Sequence, residues 1–140
     1  MIEYIDIDIY LNCVVIAAGI DENDFDVLYN DHKDKFSEEE YKNIRRDIAD
    51  PNSCNGLTVR LDCGNVFVYI RKGSERKELY VTHELYHATH RILQRAGVEH
   101  GDDGESYAYL LGWLVNEYFN RLDDYEVKQT QKKSKKKQKT

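Results

Sequence analysis

The sequence predicts an α+β domain, a small and mostly antiparallel sheet packed on helices. Three observations carry that expectation. Residues 3–9 (EYIDIDI), 56–62 (GLTVRLD) and 65–71 (NVFVYIR) have the alternation or β-branched and aromatic content of strands. Segments opening near Ser37, Ser74 and Glu105 place apolar residues at helical spacing. The chain has 140 residues, one Pro and eight Gly, enough for one buried core and unlike a disordered or fibrous polymer.

In order, the first strand sets Ile5, Ile7 and Ile9 against acidic neighbours, giving one wet face, and can continue through Tyr10 to Ile16. The stretch KFSEEEYKNIRRDIADP reads as a helix. Ser37 is its N-cap, Glu40 the capping-box partner, and Phe36 staples against Tyr41. Tyr41, Ile44 and Ile48 form its buried stripe, and Pro51 ends it. The next two strands are joined by Cys63 and Gly64 in a tight hairpin. Ser74, with Glu75 and Glu78 behind it, starts a helix expected over 75–96, which Gly97 is placed to cap. After the loop VEHGDDG, a core helix runs from Glu105 to about Tyr125, carrying Tyr107, Leu110, Leu111, Leu114, Tyr118 and Leu122 on one stripe.

Charge is unevenly divided. The formal net charge is −6, yet the last fourteen residues hold seven of the twenty basic side chains and no acidic one. Residues 1–126 are therefore expected to be the folded domain, and 127–140 a disordered Lys-rich tail. That tail reads first as a solvated appendage and second as a contact for an acidic partner or nucleic acid; the acidic body itself repels phosphate backbones. The longest apolar run, CVVIAAGI, is eight residues against the roughly twenty that span a bilayer, so no membrane partner is expected. The acidic, alternating N-terminus lacks the features of a secretory signal. Cys13, Cys54 and Cys63 form no CxxC pair, which fits a reducing cytoplasmic setting and excludes a four-cysteine zinc site.

Chemistry is concentrated in VTHELYHATH, residues 81–90. At 100° per residue, His83, His87 and His90 fall within about 60° of one another, while Val81, Leu85, Ala88 and Ile92 line the opposite side. Histidines at i and i+4 can point their imidazoles at one ion, and Glu84 projects beside them, close enough to take a proton from a metal-held water. His83-Glu84-Leu85-Tyr86-His87 is thus an HExxH motif on the polar face of an amphipathic helix.

A catalytic zinc wants a third protein ligand and one open position. His90 stands seven residues from His83, about 10.5 Å along the axis, and is expected behind the ligands or on the cleft wall. His100 and Asp102 in the loop could swing in, whereas His32 is distant and solvated. Glu105 is the favoured candidate. Ala108, Gly112 and Asn116 follow it on one small-residue face, expected to let the last helix approach the HExxH helix closely.

A helix bearing HExxH, a short connection and a second helix opening in E-x-x-A-Y (Glu105, Ala108, Tyr109) resemble the gluzincin branch of zinc metallopeptidases in its minimal phage, mobile-element or bacterial form. The resemblance spans roughly Ser37 to Tyr118 and rests on His83, Glu84, His87, Glu105, Ala108 and Tyr109. The metzincin pattern fails at His90 and Leu93, and the aspzincin GTxDxxYG setting is absent. The resemblance implies a zincin-like fold whose last helix supplies a glutamate ligand. It also implies a bound Zn2+ and a hydrolase in which His83, His87 and Glu105 hold the metal and Glu84 is the general base. The expected substrate is a peptide or protein, laid as an extra strand on the free edge of the strand at 65–71. Tyr107, Tyr109 or His100 would donate to the oxyanion. The alternative from another class is a catalytically silent zincin scaffold serving as a binding or regulatory module.

Overall fold

The computed structural model describes residues 1–99 and 104–138, the side chain of residue 138 apart. Its elements are β1 (Ile2–Ile7), β2 (Asn12–Ala18), α1 (Glu22–Asp31), α2 (Glu38–Ala49), β3 (Gly56–Arg60), β4 (Val66–Ile70), α3 (Glu78–Arg95) and α4 (Gly104–Gln138), with a 3-10 turn at Asp8–Tyr10. The fold is α+β. Four strands form one mixed sheet in the order β1-β2-β4-β3, with β1–β2 and β3–β4 antiparallel and β2–β4 parallel.

Helices cover both faces of the sheet. One face of β2 and β4 (Val14, Ile16, Val66, Val68) packs with Val81, Leu85, Ile92 of α3 and Leu114, Tyr118 of α4. The other face (Val15, Ala17, Phe67, Tyr69) packs with Phe25 and Leu28 of α1 and Ile44 and Ile48 of α2. Burial on both sides explains why β2 and β4 read as continuous apolar runs rather than alternating ones.

Several expectations are corrected. The first strand does not run through to Ile16. The chain reverses at Asp8–Tyr10, with Leu11 in the left-handed region (φ 47°), and returns as β2 paired to β1. Helix α1 lies where the sequence reading placed no element. Its N-cap Asp21 and Asp24 form a reciprocal capping box, a Ser/Thr-x-x-Glu pattern written with two aspartates. The free edge is not on the strand at 65–71. That strand, β4, is hydrogen-bonded on both sides; the edge strands are β1 and β3, and β3 is the one beside α3. The parallel partner β2 occupies the side of β4 that a hairpin alone would leave open.

The Ser37–Glu40 capping box and the Ile44–Ile48 stripe form as expected. The hairpin between β3 and β4 turns over Leu61–Asn65, wider than the two-residue link expected, with Gly64 at φ +94°. Helix α3 starts at Glu78 rather than Glu75, because Ser74 to Lys77 are taken up in turns closed by the Ser74 and Lys77 amides. Its end matches the glycine cap: Gly97 N–H donates to Gln94 and Val98 N–H to Leu93, with Gly97 at φ +76°. Helix α4 continues without a break to Gln138, so residues 127–138, expected to be disordered, are helical. Lys and Gln are good helix formers, no Gly or Pro interrupts them, and lysines in the last turn favour the C-terminal end of the dipole.

The turn that leads into α3 is pinned to α4 at two points. Tyr118 hydroxyl donates to the Glu75 carbonyl at 2.9 Å, and Arg76 forks onto Asp123 and Glu126. Among the described residues no helix is long and apolar enough to cross a membrane. Cys13, Cys54 and Cys63 are all free thiols.

Candidate metal centre

Helix α3 positions the motif by burying one stripe and exposing the other. Val81, Leu85, Ala88 and Ile92 are fully buried against the sheet, each larger one contributing on the order of 1.5–3 kcal/mol of apolar burial, so the rotation of α3 is fixed. His83 and His87 consequently stand on the exposed side. Their Nε2 atoms are 3.1 Å apart, with ring centroids at 4.7 Å and planes at 81°.

Glu84, about 60° round the helix from His87, reaches the edge strand β3. It is only 8% exposed. The Thr58 hydroxyl of β3 lies 2.6 Å from its Oε2 and 3.0 Å from its carbonyl oxygen. Gly56 makes room for this carboxylate: a Cβ there would lie 2.5 Å from Glu84 Cγ. Thr58 and Gly56 were not singled out from the sequence. The signal was present, since alternation along GLTVRLD puts Gly56, Thr58 and Arg60 on one face and Leu57, Val59 and Leu61 on the other.

Beside His83 a hollow of about 520 Å³ is lined by Leu79, Thr82, Tyr86 and Leu111, among others. His90 is half buried, with Nδ1 3.2 Å from the Tyr107 hydroxyl of α4. These two residues, expected near the ligands or the oxyanion, therefore face each other across the α3–α4 seam. Burial pushes the Tyr107 hydroxyl above the usual tyrosine range.

The packing argument for Glu105 is overturned. Ala108, Gly112 and Asn116 are exposed, and nothing approaches the position a Gly112 Cβ would take. The seam is built instead by bulky residues: Tyr107 meets His90, and Leu114 and Tyr118 share the core with Val81, Leu85 and Ile92. Large side chains bury more area and win the interface over small ones. Glu105 is exposed and lines a separate hollow with Asp6, Tyr109 and Trp113. Tyr109, proposed as an oxyanion donor, lies there too. Among the described residues no group of three His, Cys, Asp or Glu side chains converges on one point. His100 and Asp102 lie outside the described residues.

Two imidazole nitrogens 3.1 Å apart suit a zinc ion as a ligand pair. A point about 2.0–2.1 Å from both subtends roughly 100° at the metal, near the tetrahedral value. The chain matches no family model, no curated protein and no solved structure.

Proposed function

We propose that this chain is a zinc-dependent peptidase of the minimal gluzincin type, with His83 and His87 as metal ligands and Glu84 as general base. The observation that carries the reading is the pairing of two converging Nε2 atoms, 3.1 Å apart, with an adjacent carboxylate that is buried and hydrogen-bonded to the edge strand. A surface histidine pair of no function has no need of that carboxylate. Glu84, only 8% exposed, is held in place by the Thr58 hydroxyl, which meets the hydrogen-bonding need of a buried carboxylate.

When bound, zinc supplies Lewis acidity toward water and the scissile carbonyl. The protein's own part is positional. Thr58 fixes the Glu84 carboxylate, which takes the proton from the attacking water and passes it to the leaving amine. Strand β3 carries Thr58 and has one unpaired edge, so an extended peptide can add there as a fifth strand beside Glu84. The hollow beside His83 accepts an apolar side chain of that peptide. Three free thiols fit a reducing, cytoplasmic site of action.

A Glu84→Gln variant tests this. It should retain zinc at the parental stoichiometry and lose hydrolysis of a casein or quenched-peptide substrate by a factor of about 10² or more.

A second reading is favoured by one specific observation, the position of Glu105 in a different hollow from the histidine pair. On that reading the chain is a catalytically silent zincin scaffold that binds a partner. Equal biological activity of Glu84→Gln and parent would support it.

A further inference from the structure

We propose that the hollow between the Asp8–Tyr10 turn and the first half of α4 is a docking site for a basic segment of a partner protein carrying one large apolar side chain. The hollow measures about 660 Å³ and opens on a different part of the surface from the His83–His87 pair. That size is within the usual range for an occupied site. Its apolar surface comes from Ile7, Tyr109 and Trp113, and its carboxylates from Asp6, Asp8 and Glu105, with no lysine or arginine among the described lining residues.

Large apolar side chains at and beside the turn are exposed. Ile9 is 81% exposed, Leu11 89%, Tyr109 75% and Trp113 41%. Leu11 is also the one described non-glycine residue with positive φ, a conformation that costs about 1 kcal/mol or more for such a side chain. A tight turn that holds two aliphatic side chains in water beside an aromatic hollow is the anatomy of an interface, since apolar patches of this kind mark binding sites. The acidic rim decides the partner. It repels nucleic acid and acidic proteins and attracts Lys or Arg, whose charge can also rest on the faces of Tyr109 and Trp113.

The chain's own basic segment cannot fill the hollow in cis. Lys128 lies fifteen residues beyond Trp113 on the same continuous helix, about 22 Å further along its axis. The Lys-rich end of a second copy remains as a rival occupant that experiment can tell apart.

Trp113 is the single tryptophan, so fluorescence excited at the red edge, where the eleven tyrosines do not absorb, reports this site. The probe is the hexapeptide Lys-Lys-Leu-Phe-Lys-Lys, titrated into the full chain, with Glu-Glu-Leu-Phe-Glu-Glu as control. The basic peptide should shift Trp113 emission saturably and the acidic one should not. An Asp6→Lys/Asp8→Lys double variant, confirmed folded by circular dichroism, should weaken binding by about tenfold or more. Ile9→Ser should weaken it with the charges intact. No saturable shift up to millimolar peptide, or a shift indifferent to the charge reversal, overturns the proposal. So does concentration-dependent dimerisation that moves Trp113 emission without peptide and is lost on deleting residues 127–140, which would make the second copy the occupant. Zinc binding and hydrolysis by the His83 site are untouched by either result.

Discussion

The Thr58 hydroxyl, 2.6 Å from Glu84 Oε2 and 3.0 Å from the Glu84 carbonyl oxygen, ties the edge strand to both ends of the residue read as the general base. A hydrogen bond to a charged carboxylate at that length is among the stronger kinds. It orients Glu84 before any substrate arrives.

Removing the hydroxyl should therefore cost activity without costing metal. In Thr58→Val, kcat is expected to fall about tenfold while zinc content stays at the parental value; Thr58→Ser should restore most of the rate. Steady-state kinetics with metal analysis on the three proteins checks this. Equal kcat in parent and Val variant would remove Thr58 from the account.

Gly56 is the steric half of the same arrangement. A methyl group there would collide with Glu84 Cγ at 2.5 Å, so Gly56→Ala should displace either the carboxylate or β3. The expected outcome is a larger loss of kcat than in Thr58→Val, with thermal stability lowered by about 1–3 kcal/mol. Unchanged kinetics and Tm would mean that the site yields more easily than its packing suggests.

Metal affinity separates the ligand candidates. His83→Ala and His87→Ala should each abolish tight zinc binding in equilibrium dialysis. Glu105→Ala gives the informative result: loss of zinc makes Glu105 the third ligand, and retention moves that role to His100 or Asp102, to be checked by the corresponding alanine variants.

Tyr118 tests the tie between α4 and the turn that leads into α3. Its buried hydroxyl donates to the Glu75 carbonyl, so Tyr118→Phe should destabilise the fold by roughly 1 kcal/mol at neutral pH. Burial raises the ionisation of this hydroxyl far above 10.0, so above about pH 10 the unfolded chain loses the proton first. The stability held below that pH is then lost as pH rises, and the Phe variant should lose less. Urea unfolding at pH 7 and pH 10.5 measures both effects.

Most of the site's local geometry was legible because it depends on one helix. A 3.6-residue period fixes the side on which His83 and His87 stand once Val81, Leu85 and Ile92 are committed to the core. What was not legible depends on contacts between elements. Whether β3 or β4 is the edge turns on the parallel pairing with β2, a contact between residues about fifty apart in the chain. The buried stripe of α4 was legible, since Tyr107, Leu110, Leu114, Tyr118 and Leu122 are in the core, but the small-residue face read as the approach to α3 is exposed, and Tyr107 meets His90 there instead. Helix α1 was missed because its cap uses Asp24 in place of the usual Glu, and its buried pair, Phe25 and Leu28, spans barely one turn.

The most direct measurement is a crystal structure of zinc-loaded protein with data collected on both sides of the zinc absorption edge. The account predicts a single anomalous peak about 2.0–2.2 Å from Nε2 of both His83 and His87, with a solvent position open beside Glu84. A peak elsewhere, or fully loaded crystals with the two imidazoles turned apart and no density between them, would contradict it.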